Sequence, residues 1–238
     1  MAASATSSPS KAEAVRTMFT HIARRYDLMN SLMTGGRHHA WRRKAAESAA
    51  GAPGGPVLDL ATGTADLAIA VRARTPGRFV AGADFSEGML RVGRAKLRER
   101  RVARLQLLVA DAQALPFRDG AFACVMSAFL LRNLDGLERG LAEMRRVTIP
   151  GGRVITLDIV RPAQPLWGAV FGAYFNHVVP AIGALVAGNR QAYTYLPQSV
   201  DRFVTPDELA ELMEKVGLRD ITYQRLGLGT IALHVGIA

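Results

Sequence analysis

Val57-Leu58-Asp59-Leu60 is an apolar, strand-like run that passes directly into Ala61-Thr62-Gly63-Thr64-Ala65-Asp66, and a second apolar run closes on Asp84. An apolar run feeding a tight turn of small residues, then a helix, lets backbone N–H groups approach a ligand closely. An acid at the end of the next strand is placed to accept hydrogen bonds from ribose hydroxyls. Together the two features specify a nucleoside-type ligand at the carboxyl edge of a parallel sheet. Gly63 is the only glycine of the turn, so the Gly-x-Gly-x-x-Gly cradle of a pyrophosphate is missing. A nucleoside carrying an amino acid, such as S-adenosylmethionine, fits better. The competing reading is an ordinary strand–helix turn.

Outward from this turn the chain alternates. Strands are expected at 55–60, 78–84, 105–110, 121–128 and 152–159, with helices at 65–74, 86–101 and 135–147. Pro150-Gly151-Gly152 is expected to break the chain between the last helix and strand. This alternation predicts an α/β fold with a parallel sheet, right-handed crossovers and helices on both faces. Residues 11–25 and 36–50 read as amphipathic helices preceding it, an amino-terminal cap. Thr205-Pro206-Asp207-Glu208 opens a helix over 205–216, capped by Thr205 with proline in the first turn. Two last strands follow near 218–225 and 229–237. The segment 166–188 carries no Asp, Glu, Lys or Arg and has a bilayer-spanning length. Asn176, His177 and Pro180 interrupt it, so a helical pair covering a greasy substrate channel, resting on a membrane, is the preferred reading.

At 238 residues with 49% apolar content the chain buries a sizeable core in one domain, 11–238, behind a serine-rich tail, 1–10, that reads as disordered. The one cysteine, Cys124, excludes an internal disulfide framework and fits a reducing compartment. No secretory signal opens the chain, and one lysine without arginine before residue 12 makes a poor transit peptide. The net charge of +10 is concentrated in Arg91, Arg94, Arg98 and Arg101, one stripe on a helix, and in Arg37, His38, His39, Arg42, Arg43 and Lys44. A solvated face and an anionic membrane surface are the leading readings. Nucleic acid is not expected, because few aromatics are interleaved for stacking. His38, His39, His177 and His234 form no metal-like grouping with cysteines or acids, and no metal is expected.

Further blocks are more specific. Tyr26-Asp27-Leu28-Met29-Asn30, Met33-Thr34, His38 and Trp41 form one; Arg146-Val147-Thr148-Ile149-Pro150-Gly151-Gly152-Arg153 with Leu157-Asp158 forms another. Between them lie Asp111-Ala112, Leu115-Pro116-Phe117 and Leu131-Arg132-Asn133; Ala192-Tyr193-Thr194-Tyr195-Leu196-Pro197-Gln198-Ser199 and Ala232-Leu233-His234 follow. On these blocks the chain resembles the UbiE/MenG quinone C-methyltransferases over roughly residues 14–236. The resemblance implies a Rossmann-like class I methyltransferase fold: a seven-stranded, mostly parallel sheet, a helical cap and a substrate-covering insertion at 164–204. It also implies S-adenosylmethionine as cofactor. Gly63 and Thr64 are then expected at its methionine part with Asp59 behind them, Asp84 at the ribose, and Asp111 and the Ala112 N–H at the adenine. Phe85 and Ala128 fall among the cofactor positions.

The implied reaction methylates the ring of a polyprenyl quinol: demethylmenaquinol, or the benzoquinol of ubiquinone synthesis. Alternatives are another prenylated or polyketide phenol as substrate, or a non-catalytic role in a quinone-biosynthesis assembly. Arg132, Asn133 and Tyr26 are the expected catalytic residues. Arg132 is too basic to accept a proton and would instead stabilise a phenolate or orient a water, while Tyr26 and Asn133 hold the ring. A structural salt bridge is the competing role for Arg132. The implied location is cytoplasmic, peripheral to the inner face of an anionic membrane, and a homodimer is one open arrangement. Three positions depart from the family pattern. Ala65 replaces Gly and reads as harmless; Ala128-Phe129-Leu130 replaces Ser-Phe-Gly; Asp158-Ile159-Val160 replaces Glu-Phe-Ser.

Overall fold

A computed structural model describes residues 11–187 and 190–238, so the tail expected at 1–10 lies outside the described residues. Helix α1 (Lys11–Ile22) runs through a 3-10 turn into α2 (Tyr26–Thr34), and α3 (His38–Ala50) leads to β1 (Val57–Leu60). The alternating part is α4 (Asp66–Arg74), β2 (Val80–Asp84), α5 (Glu87–Glu99), β3 (Leu105–Val109), β4 (Phe122–Ala128), α6 (Leu137–Arg146) and β5 (Thr148–Ile159). It is followed by α7 (Pro165–Ala173), α8 (Val179–Ile182), α9 (Arg190–Asp201), α10 (Pro206–Lys215), β6 (Arg219–Leu226) and β7 (Ile231–Ile237).

The seven strands form one sheet in the order β3-β2-β1-β4-β5-β7-β6. The first five are parallel, and β7 runs antiparallel to both β5 and β6. Every residue of β1 and β2 is buried, as expected of strands covered on both faces. Alternate residues part to opposite sides. Leu58 and Leu60 pack with Leu141, Met144, Leu209 and Met213 of α6 and α10. Val57, Cys124 and Ile155 pack with Ala45, Ala49, Leu67 and Val71 of α3 and α4. Helix α3 therefore belongs to a layer of the sheet rather than to a separate cap.

A third core joins Ile22 and Met29 of the first two helices to Phe175, Val179, Tyr193 and Val200 of the 165–201 region. The helical pair expected inside 166–188 is not present. Residues 165–187 form one helical run with π turns at Tyr174–Val178 and Gly183–Ala187, and its second half packs against α9. Pro180 has no N–H to donate in the first turn of α8, which explains a bulge directly before it. Leu166–Leu185 is long and apolar enough to cross a membrane, and only 17% of it is buried.

Two further expectations change. Strand β5 starts at Thr148, because Pro150-Gly151-Gly152 is a bulge within the strand: Phe122 pairs with Thr148, but Cys124 pairs with Arg153. Gly151 sits at φ 76, and a Cβ on Gly152 would lie 2.6 Å from Thr148 Cγ2. The basic stripe is shorter than expected, since α5 ends at Glu99 and Arg94 pairs with Glu87 at 2.6 Å.

Candidate active site

The turn after β1 bends through three left-handed residues, Ala61 (φ 51), Gly63 (φ 56) and Ala65 (φ 68). A non-glycine residue there costs about 1–2 kcal/mol, so Ala65 is not neutral; Gly93 leaves space beside its methyl. The turn carries Gly63 to the end of β2, where Asp84 Oδ2 accepts its N–H at 2.9 Å and Oδ1 accepts the Ser86 N–H at 2.8 Å. Burial pushes the Asp84 carboxyl up to about 6 against the pull of those two N–H groups. Asp59 lies behind, with Oδ2 accepting from Thr62 Oγ1 at 2.6 Å and a buried Oδ1 without a partner. Burial pushes its carboxyl up to about 7.

Gly63, Asp84, Phe85, Asp111, Ala112 and Ala128 line one cleft at the carboxyl ends of the strands. Asp111 Oδ1 accepts the Gln113 N–H at 2.9 Å, which fixes the loop. At about 90 Å³ the cleft is narrow, because Ala12, Val15 and Phe19 of α1 lie across it. Asp59 and Thr64 do not line it. Thr64 Oγ1 instead donates to Asp27 Oδ1 at 2.6 Å. Asp27 Oδ2 also holds Lys96 at 2.7 Å, Lys96 reaches Asp66, and Asp66 pairs with Arg42 at 2.9 Å. This clamp ties α2 and α3 to α4 and α5. Sequence reasoning missed it, because Lys96 reads as one more cation on a solvated face.

A second cavity, of about 440 Å³, lies between α1, α2, the 165–201 helices and the β6–β7 loop. Its walls are largely aromatic: Trp41, Trp167, Phe171, Tyr174, Phe175, Tyr193 and Tyr195. Phe19, Tyr26, Phe129 and Asn133 line both spaces and form the wall between them. Phe129 is the hub of that wall. It sits at φ 64, a strained conformation for a bulky residue, and its carbonyl accepts from Arg132 Nη1 at 2.8 Å and Asn133 Nδ2 at 3.0 Å.

Arg132 Nη1 also pairs with Asp158 Oδ1 at 2.6 Å, the two side chains being 6% and 2% exposed. The salt bridge weighed against a catalytic role is therefore present, yet Arg132 Nε remains buried without a partner in the cavity wall. Asn30 Nδ2, His38 Nε2, Asn133 Oδ1, Trp167 Nε1 and the Tyr193 and Tyr195 hydroxyls are likewise buried and unpartnered there. Buried polar atoms are seldom left so, and their convergence marks a polar ligand in a greasy pocket.

The model of the ubiE/COQ5 methyltransferase family matches residues 7–238. Demethylmenaquinone methyltransferase of Thermus thermophilus is 44% identical over 92% of this chain and 99% of its own length. The enzyme of that name from Deinococcus radiodurans is 44% identical over 95% of this chain and 93% of its own. The ubiquinone/menaquinone biosynthesis C-methyltransferase UbiE of Methylobacterium nodulans is 39% identical over 93% and 89%. Among solved structures, a SAM-dependent methyltransferase from Thermotoga maritima superposes with a TM-score of 0.67 over 93% of this chain and 98% of its own, at 18% identity, a likeness of fold. With a seven-stranded methyltransferase sheet and a family match that reaches from the first helix to the last strand, this chain belongs to the ubiE/COQ5 methyltransferase family.

Proposed function

We propose that the protein methylates a ring carbon of a polyprenyl naphthoquinol, demethylmenaquinol, using S-adenosylmethionine. The observation that carries this reading is the shared wall: a narrow polar cleft and a large aromatic cavity meet at Tyr26, Phe129 and Asn133. The naphthoquinol is favoured over a benzoquinol because the 44%-identical relatives bear the menaquinone name.

The residues of the cleft fit S-adenosylmethionine. Asp84 supplies a pinned carboxylate for paired hydroxyls, Asp111 an acceptor for an amino group, Ala112 a backbone donor, and Gly63 a turn without side chain. When bound, S-adenosylmethionine supplies an electrophilic methyl group. A ligand of that size requires α1, which lies across the cleft, to shift outward. Everything else is the work of the protein: Tyr26 and Asn133 hold the ring at the shared wall, Arg132 Nε faces the oxygen on which charge develops, and the aromatic lid keeps water out. Such alignment lowers the barrier by roughly 7–11 kcal/mol in favourable cases. Residues 11–238 act as one unit in which 164–204 covers the substrate.

Transfer of labelled methyl from S-adenosylmethionine to reduced naphthoquinols, benzoquinols and simple phenols tests the reading. The prenylated naphthoquinol is expected to be the best acceptor. Transfer to simple phenols alone would support another phenol as substrate, and no transfer to any acceptor would remove catalysis.

A substrate with a polyprenyl tail resides in a bilayer. Leu28, Leu32, Leu166, Val170 and Val178, on elements that wall the cavity, and Leu185, further along the same helical run, are among the most exposed large apolar side chains described. The protein is therefore proposed to dock peripherally on an anionic membrane. Co-sedimentation with anionic liposomes is expected to exceed that with neutral ones and to fall in high salt. The double substitution Leu166→Glu/Leu185→Glu is expected to reduce both. Equal, salt-insensitive binding to the two lipids would reject the electrostatic part; unchanged binding by the double variant would reject the apolar face.

A further inference from the structure

We infer that His38 is the general base of the methyl transfer, with Nε2 taking the hydroxyl proton of the quinol in the aromatic cavity. The inference rests on the quinol reading above and adds to it a proton acceptor, which Arg132, Asn133 and Tyr26 do not provide.

The argument begins with the tautomer. Thr34 Oγ1 donates its hydrogen to the Asn30 carbonyl at 2.7 Å, so toward His38 Nδ1, 2.9 Å away, it acts as acceptor. Nδ1 therefore carries the ring hydrogen, and Nε2 keeps its lone pair. Nε2 is buried without a partner in a residue that lines the cavity and is 1% exposed. It is the basic nitrogen among the unpartnered atoms of the wall. Asn133 Oδ1 accepts a hydrogen bond but not a proton, and burial raises the Tyr193 and Tyr195 hydroxyls, which stay protonated donors.

The surroundings keep the ring neutral. Burial, then Arg42 and the neighbouring His39, push His38 down to about 4, while Asp66 on α4 and Asp27 on α2 pull weakly the other way. The His39 ring lies 3.9 Å from it, centroid to centroid, and Arg37 faces the same cavity. The ring is therefore neutral and free to accept a proton, but in the empty site it is a weak base; it takes the quinol proton only as the phenolate formed beside it stabilises the imidazolium and raises its value.

The step balances as follows. The quinol O–H bond breaks, its proton passes to Nε2, and the O–H electron pair moves into the ring. The ring-carbon–methyl bond forms as the methyl–sulfur bond of the sulfonium donor breaks, leaving a neutral thioether. Nε2 then returns the first proton to the oxygen and takes the ring carbon's own hydrogen as a proton, which it gives up to solvent once the product leaves and the cavity opens. One methyl is gained and one proton released per turnover.

Three measurements on the full chain test this. In the 15N spectrum of labelled wild-type protein at pH 7, His38 is expected with Nδ1 protonated and Nε2 bare. Anaerobic addition of 1,4-dihydroxynaphthalene is expected to shift Nε2. An Nε2–H tautomer, or no shift under saturating quinol, would overturn the inference without touching the methyltransferase reading. His38→Asn keeps a donor toward Thr34 Oγ1 and loses Nε2; kcat is expected to fall about 10²-fold with S-adenosylmethionine affinity retained. His38→Ala is expected to regain part of its rate with added imidazole. A His38→Asn rate within fivefold of wild type, or a rate loss that imidazole does not relieve and that tracks lost melting temperature, would make His38 structural. Inactivity of the wild type on every quinol, with the tautomer and shift as expected, would sink the proposed reaction instead.

Discussion

Arg132→Ala is expected to lower kcat about 10²- to 10³-fold, as loss of one transition-state donor typically does, with S-adenosylmethionine affinity nearly unchanged. Arg132 does not line the cofactor cleft, and its free Nε belongs to the wall of the larger cavity. A fixed cation is most effective where charge develops away from water, so its loss appears in the rate rather than in ground-state binding. The same substitution also strips the partner from Asp158, whose side chain is 2% exposed. Removing half of a buried pair costs about 3–5 kcal/mol. The lower end is expected here, since Asp158 still accepts the Leu131 and Ile159 N–H groups at 2.9 Å. Rate and stability therefore fall together, and a second variant must part them. Arg132→Met/Asp158→Asn removes both charges, so melting temperature should largely recover while kcat stays low. Recovery of both would make Arg132 a structural residue. Arg132→Lys is expected to rescue little, because an ammonium in the place of Nη1, which alone bonds both Phe129 O and Asp158, has no second N–H group to face the cavity as Nε does.

The strand–helix alternation was legible because β1, β2 and β4 are covered on both faces, so nearly every position must be apolar and short continuous runs betray them. The start of β5 was not. Proline and two glycines read as a stop, yet Gly151 N–H reaches the Ala238 carbonyl at 2.8 Å, and the strand is held through its bulge by the distant carboxyl terminus. Helix α2 carries no clear signal in the sequence for a related reason. Leu28 and Leu32 face outward while Met29 is fully buried, which blurs the apolar face that marks a surface helix.

The site divides the same way. Asp84, Asp111 and the Gly63 turn sit at strand ends, where order along the chain predicts position in space. Phe129 falls in the Ser-Phe-Gly pattern, but its role lies in a backbone carbonyl that anchors Arg132 and Asn133, which no side-chain pattern encodes. The pairing of Thr64 with Asp27, and the choice of His38 and Arg42 to be buried while His39 and Arg43 stay exposed, depend on how α2 and α3 pack. No local pattern encodes which member of a basic run turns inward.

Asp84→Ala is expected to weaken S-adenosylmethionine binding roughly 10- to 100-fold, the range for hydrogen bonds to a charged group of about 1.5–3 kcal/mol. The carboxylate is pinned by the Gly63 and Ser86 N–H groups, so its remaining lone pairs are aimed before any ligand arrives. Alanine removes the acceptor and also frees the turn, whereas Asp84→Asn keeps one acceptor and should fall between the two. Protonation gives an independent check. Burial sets the free carboxyl at about 6, and hydroxyl donors favour its ionised form, so binding lowers that value and expels a proton below pH 6. The contribution of Asp84 to affinity should therefore be flat above about pH 7 and weaken as pH falls through 6, with a slope that approaches tenfold per unit. Asp59, set near 7 behind the turn, bends the curve in the same direction, so the contribution of Asp84 is the part that Asp84→Asn abolishes. Calorimetry between pH 5.5 and 8, in two buffers of different ionisation enthalpy, reads both the affinity and the proton count. A folded Asp84→Ala with wild-type affinity would remove Asp84 from the site; a pH slope that persists in Asp84→Asn would pass the linked proton to Asp59.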